Sequence, residues 1–571
     1  MASVDSDLEE VIGHLGEFGK YQAWQFSLHI LGALTAGLHM LTLLTVAAVP
    51  PHQCILPDSQ TTTPSFPIDS YNETSIAWNG SSHLQNAFRT IDSCSYLDQN
   101  NETQKCEAWN YDTTYFQSSR GMEWNFVCSQ RWMGAVAQSS YMFGVFFGAV
   151  TLGSMADRYG RKIIFYISAV AQLVLGVGVA LITEYYSFIV IRFLYGIFGS
   201  AGAYITGFVL TMELVGSTKR TVCGVMFQLA FATGFMLVAV WGALIKDRFW
   251  LQITYGMHSI ILIGHWWLMD ESPRWLWAQG RIKEALEIIQ KGLKMNGSDV
   301  EIESAKFISR ANIRQASDEP ESHGALDMLR TPNLRKKTLN VCLNWFANSI
   351  VYYGLSLNTG NLVGNPFLMM FLSGLVELPT YILMCFIMDR TGRRCLVSSF
   401  MLIGGICCII ASLIPGNSST AGSVIVGVVL LGKACIAGSF AVIYNYTAEL
   451  FPTVVRNTAL GVGSMCARLS GALTPLIMLL DSLNPKVPAT IFGFIALISG
   501  FLALYLPETV NQPMPESIED GENFGKGDTC FTTCCGKNKY LVDTAVEVNL
   551  EQVSDKDKER DDKEKIKVTD D

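Results

Sequence analysis

Runs of about 20 apolar residues, each the length that crosses hydrocarbon as a helix, recur twelve times: 23–49, 132–154, 163–182, 186–212, 221–245, 250–269, 339–357, 366–388, 395–414, 422–444, 457–480 and 487–506. No other feature narrows the fold as much. In lipid every backbone polar group must be satisfied within its own segment, and a helix does that. Composition agrees: 50% of the residues are hydrophobic and 16% charged over 571 positions, which excludes an ordinary soluble domain of this size. The chain reads as an all-α membrane protein with twelve transmembrane helices. Its first 20 residues contain Asp5, Asp7, Glu9 and Glu10 but no short apolar core with a cleavage site, so no removable signal peptide is expected.

The formal net charge of −9 says less than where the positive charges lie. Connections after spans two, four, eight and ten hold Arg158, Arg161, Lys162, Lys219, Arg220, Arg390, Arg393, Arg394 and Arg456, while those after spans three, seven and nine hold neither Lys nor Arg. By the positive-inside rule the even-numbered loops and both termini are cytoplasmic, with Lys246 and Arg248 a local exception. Residues 50–131 must then be extracellular. That loop contains Cys54, Cys94, Cys106 and Cys128, and glycosylation sequons at Asn72, Asn79 and Asn101, the chemistry of an oxidising lumen. Four cysteines allow three pairings, and spacing does not choose among them. The expected location is the plasma membrane.

The chain repeats itself. "GSMADRYGRK" (Gly153–Lys162) is answered by "CFIMDRTGRR" (Cys385–Arg394), with Asp157 and Asp389 232 positions apart. "ELVGSTKR" is answered by "ELFPTVVR", with Glu213 and Glu449 236 apart, and "ESPRW" by "PET", with Glu271 and Glu508 237 apart. Near-equal offsets imply a duplicated six-helix unit, an architecture common in secondary transporters. The expected organisation is a cytoplasmic N-terminus (1–22), a first half (23–270), a cytoplasmic linker (271–338), a second half (339–506) and a largely disordered cytoplasmic tail (507–571). Asp157, Arg158, Arg161, Glu213 and Arg220, with Asp389, Arg390, Arg393, Glu449 and Arg456, place carboxylates beside cations at helix ends, where charge-assisted hydrogen bonds can lock neighbouring helices in one state. Within the linker, Ile282, Leu286, Ile289 and Leu293 at helical spacing predict a short amphipathic helix on the cytoplasmic surface.

These motifs resemble the major facilitator superfamily. "PPHQC" opening the long loop, "EWNFVC" before span two and "VYYGLSLNT" in span seven resemble the organic cation, carnitine and anion transporters of solute carrier family 22, the insect organic cation transporters most of all. The resemblance runs from "LGEFGKYQ" at Leu15 to "PMPESIEDG" at Pro513, and one departure is Cys385, where the repeated motif would carry glycine. It implies two pseudo-symmetric halves that rock about a central site, with no covalent chemistry, no cofactor and no metal.

Ionisable residues inside spans are functional candidates, since a charge at mid-bilayer costs about 2.5–3.5 kcal/mol on insertion scales unless it faces a cavity or partner. His29, His39, Arg192, Glu377, Lys433 and Arg468 qualify. "GVVLLGKA" around Lys433 mimics a phosphate-binding loop, but Ala434 stands where a hydroxyl is needed and the span is apolar, so no nucleotide is expected. Glu377 and Arg468 lie near the middles of spans eight and eleven. A carboxylate attracts ammonium groups and a guanidinium offers a planar fork to carboxylates, so together they suit the two ends of a zwitterion; the alternative is that they pair with each other. Trp345, Tyr352 and Tyr353 supply rings for cation–π attraction, Trp345 and Tyr352 being seven apart and close to one helical face. The resemblance adds His39, Tyr204, Gln228 and Phe231 as cavity residues. It also implies that cation-specialised relatives share Glu377 but carry an acidic residue at Arg468, whereas anion carriers share the arginine and lack the glutamate.

The reading is a transporter of small organic cations and zwitterions, betaine-like, carnitine-like or short amino-acid-like, in the lipid bilayer. It is not an enzyme and engages no nucleic acid. A net-neutral zwitterion gains nothing from the membrane potential, so its concentrative uptake needs coupling to sodium or protons, or exchange. The competing readings are an organic anion transporter, a sugar porter, and a receptor or channel.

Overall fold

The computed structural model describes residues 6–55, 89–90, 93–97, 102–298, 300, 302, 307, 326–362, 364–415, 419–510 and 512–530. Every one of the twelve apolar runs is helical there. Nine helices among the described residues are long and apolar enough to cross a membrane. The remaining three have local reasons to fall short. Span six is broken into Arg248–Met257, Ile260–Ile263 and His265–Leu268; span seven, Pro332–Leu357, carries Asn340, Asn344 and Asn348; span twelve, Val487–Ala503, has 17 residues.

Span eight is interrupted where its carboxylate sits. Pro379 has no N–H to give the carbonyl four residues back, and its ring crowds that carbonyl. The helix accordingly splits into Pro366–Leu375 and Glu377–Thr391, and Glu377 opens the second piece. Close helix packing elsewhere comes from small residues. A Cβ on Gly144 would lie 2.1 Å from the Phe193 carbonyl, and one on Gly196 2.1 Å from that of Tyr141, so spans two and four meet backbone to backbone.

The duplication is visible as matching ion pairs. In the first half Arg161 reaches Asp157 at 2.9 Å and Glu213 at 3.1 Å, while the Glu271 carboxylate accepts the backbone N–H of Arg161 and Lys162 at 3.2 and 3.1 Å. In the second Arg393 reaches Glu449 at 2.9 Å, and Glu508 accepts the backbone N–H of Arg393 and Arg394 at 2.8 and 3.2 Å. Each set ties helices within one half. Arg158 lies over the Tyr159 ring, Arg390 is exposed, and the Arg220 Nε donates to the Val215 carbonyl. The Asp389 side chain lies outside the described residues.

Both copies turn through a glycine: Gly160 has φ 109°, ψ 146° and Gly392 has φ 87°, ψ 151°. A Cβ there would also meet Glu271 Oε2 at 2.5 Å or Glu508 Oε2 at 2.6 Å. Gly160→Ala and Gly392→Ala are therefore each expected to cost about 1–3 kcal/mol. The check is a lowered thermal unfolding midpoint of the detergent-purified protein. Gly153→Ala, whose Cβ would meet nothing within 4 Å, is the control that should not lower it.

The long first loop is stapled by Cys54–Cys106 and Cys94–Cys128, which settles its pairing. Strand His52–Cys54 pairs antiparallel with Trp109–Tyr111. The sequons at Asn72, Asn79 and Asn101 lie outside the described residues. Lys246 and Arg248, out of place by the charge rule, anchor this loop: Lys246 donates to the Thr114 carbonyl at 2.9 Å and Arg248 pairs with Glu123 at 2.8 Å.

On the opposite face the amphipathic linker helix, Ile282–Asn296, buries Ile282, Leu286, Ile289 and Leu293 against Leu8, Val11 and Leu15 of the N-terminal segment. The start of the expected disordered tail is folded. Glu522 accepts the backbone N–H of Asn333 and Leu334 at the start of span seven, at 2.9 and 2.8 Å.

At the loop face Arg131, ahead of span two, pairs with Asp481, after span eleven, so an ion pair joins the halves there. Phe367 of span eight also packs on Phe116 of the loop, ring centroids 5.1 Å apart. The halves are thus tied to each other at the loop face. Arg220 and Arg456 begin corresponding spans, five and eleven, of the two halves.

Candidate functional site

The periodicity of the spans brings one face of each to the interface between the halves. Gln228 and Phe231, three apart on span five, and Tyr204 of span four face Ser349, Tyr352 and Tyr353 of span seven. Phe440 and Tyr444, four apart on span ten, close the ring with Arg468. The result is a cavity at the interface between the halves.

Half of its lining residues are aromatic. Tyr352 and Tyr353 meet edge-on with centroids 5.3 Å apart, Tyr352 lies 5.9 Å from Phe440, and Phe440 5.8 Å from Tyr444. On the facing wall, from the first half, Tyr204 stands 6.1 Å from Phe231. Among the lining residues, Arg468 alone carries a charge. Its Nη1 donates to the Ser464 carbonyl at 3.3 Å and to the Ser464 hydroxyl, while its buried Nε has no hydrogen-bond partner among the described residues.

Glu377 lies behind this wall and is fully buried. Tyr352 and Tyr381, which do line the cavity, each donate a hydroxyl to Glu377 Oε2 at 3.0 Å. Its cationic neighbour is Lys433 of span ten, with Nζ 3.1 Å from Oε1. That approach is a charge contact outside hydrogen-bond geometry, so Oε1 receives no hydrogen bond among the described residues. The anticipated alternative, a bridge between Glu377 and Arg468, is replaced by a bridge between Glu377 and Lys433.

Of the nine residues proposed from sequence, Arg468, Tyr352, Tyr353, Gln228, Phe231 and Tyr204 line the cavity. Glu377, Trp345 and His39 do not. Trp345 is buried one layer back, donating Nε1 to Thr447 Oγ1 at 3.0 Å with its ring 4.4 Å from that of Tyr444. His39 is held between Ser259, 2.9 Å from Nε2, and the Tyr195 hydroxyl. Tyr381, Phe440 and Tyr444 were missed, although "SFAVIYNY" offered an aromatic pair at four-residue spacing. Lys433, one of the ionisable candidates within spans, is the counter-ion of Glu377.

The family model described as "Sugar (and other) transporter" matches residues 81–520. The "Organic cation transporter protein" of Drosophila melanogaster is 38% identical over 91% of this chain and 95% of its own length. "Organic cation/carnitine transporter 2" of Homo sapiens is 30% identical over 90% of this chain and 93% of its own. Among solved structures, the inward-open xylose transporter XylE of E. coli matches with a TM-score of 0.57 at 15% identity, over 87% of this chain and 98% of that one. That likeness speaks to the fold alone.

Proposed function

The chain belongs to solute carrier family 22, the organic cation, carnitine and anion transporters of the major facilitator superfamily, and on that premise we propose that it carries small organic ammonium solutes bearing a carboxylate. It is a multi-pass membrane transporter of the organic cation type. The solutes intended are zwitterions, betaine-like, carnitine-like or short amino-acid-like, with simple organic cations as weaker substrates. The single observation that carries this reading is that Arg468 is the one charged residue lining a cavity rich in aromatic rings.

A carboxylate takes the guanidinium fork through charge-assisted hydrogen bonds. The ammonium end rests on ring faces, a cation–π contact worth about 2 kcal/mol or more when desolvated. Glu377 contributes through the rings, because hydroxyls donating to a buried carboxylate polarise Tyr352 and Tyr381. The stapled loop and the distribution of Lys and Arg favour placing the loop face outside the plasma membrane and both termini in the cytoplasm. Coupling to sodium or protons, or exchange, supplies the energy for accumulating a net-neutral solute.

A second reading, organic anion transport, is favoured by one observation: Lys433 compensates Glu377 and leaves Arg468 as the uncompensated charge at the cavity. Initial uptake of glycine betaine, its carboxylate-free counterpart tetramethylammonium, and a dicarboxylate into expressing cells separates the two. Betaine is expected to exceed tetramethylammonium by about tenfold or more, one charge-assisted contact's worth. Dicarboxylate uptake without betaine uptake would overturn the proposal in favour of anions.

A further inference from the structure

Lys433 is placed where a bound cation would sit. Its ammonium nitrogen lies 3.2 Å from the Tyr352 carbonyl, in contact with the Ser356 hydroxyl, 3.1 Å from the Glu377 carboxylate and 3.2 Å from the centroid of the Tyr352 ring. A carbonyl, a hydroxyl, a carboxylate and a ring face are the acceptors with which proteins hold a free ammonium ion. Neither Lys433 nor Glu377 reaches solvent. Glu377 Oε1, buried and without a hydrogen bond among the described residues, is aimed at this nitrogen. The partition between this pocket and the cavity is thin: Tyr352 and Tyr381 line the cavity and bond Glu377 with their hydroxyls.

We infer that these groups form a cation subsite behind the cavity wall, that Lys433 fills it as a tethered ammonium ion, and that this occupancy makes the transporter select solutes carrying a carboxylate. The inference rests on the reading given under Proposed function and adds the residue that sets its specificity. With Lys433 in place, Glu377 is compensated and the cavity presents the positive charge of Arg468, which disfavours a bare monocation. With Lys433 removed, Glu377 becomes an uncompensated carboxylate one side chain away from the cavity, and a small organic ammonium ion takes the vacated position.

The test is the ratio of glycine betaine to tetramethylammonium initial uptake at matched surface protein. Lys433→Ala is expected to lower this ratio by about tenfold or more, the effect of one uncompensated charge contact. Lys433→Arg, which keeps the charge, should hold it near the wild-type value, and Glu377→Gln combined with Lys433→Ala should return it toward that value. An unchanged ratio in Lys433→Ala, or an equal fall in the combined variant, would overturn the inference.

Should Lys433→Ala be retained inside the cell, it is expressed with and without millimolar methylammonium chloride. Recovery of surface protein in this variant and not in the combined one supports a cation subsite; no recovery refutes it. If the wild-type protein carries neither solute, the functional reading fails, and the methylammonium arm still decides the subsite.

Discussion

Arg468→Ala is expected to reduce glycine betaine uptake by about 10- to 100-fold, the loss of one or two hydrogen bonds to a charged group. Tetramethylammonium uptake in the same cells should change by less than about threefold or rise, because a bare cation gains nothing from a guanidinium. The asymmetry follows from the cavity wall. Arg468 faces the cavity from span eleven with its Nε unpartnered among the described residues, and no other lining residue is charged. A structural role would move both solutes together with surface protein. Cell-surface biotinylation alongside the two uptake rates therefore separates recognition from folding.

Glu377→Gln should act mainly on folding. The substitution leaves Lys433 buried without its counter-charge, and breaking a buried pair on one side costs about 3–5 kcal/mol. Tyr352 and Tyr381 keep a hydrogen-bond acceptor in the glutamine carbonyl, so the loss is electrostatic rather than geometric. Surface delivery should fall several-fold with both solutes affected. The double variant Glu377→Gln, Lys433→Gln removes both charges and is expected to recover most of it, since replacing a buried pair by neutral groups is often close to neutral. Quantified surface protein for the two single variants and the double gives the coupling directly. Additive losses would show that the pair does not act as a unit.

Much of the architecture was legible in the chain. Apolar run length located all twelve helices, and the offsets between Asp157 and Asp389 or Glu213 and Glu449 disclosed the duplication that Arg161 and Arg393 then displayed as matching ion pairs. The site was only partly legible, for a physical reason. A sequence marks an ionisable residue within a span but not the direction in which its helix turns it. Glu377 and Lys433 were each conspicuous, yet their pairing depends on how spans eight and ten face each other, after Pro379 has broken span eight.

Trp345 shows a second limit. It shares a helical face with Tyr352, but seven residues of helix displace it by about 10 Å along the axis. There its ring packs edge-on against Tyr444, which lines the cavity while Trp345 does not. His39 was carried by resemblance, and its bonds to Ser259 and Tyr195 hold it within the first half.

The most direct test of the account is an experimental structure of the transporter with glycine betaine bound. The account predicts the betaine carboxylate within hydrogen-bond distance of Arg468, the trimethylammonium group among the rings of Tyr352, Tyr353 and Tyr444, and Lys433 still against Glu377. A betaine whose ammonium group displaces Lys433 from Glu377, with Arg468 turned away from the carboxylate, would contradict it.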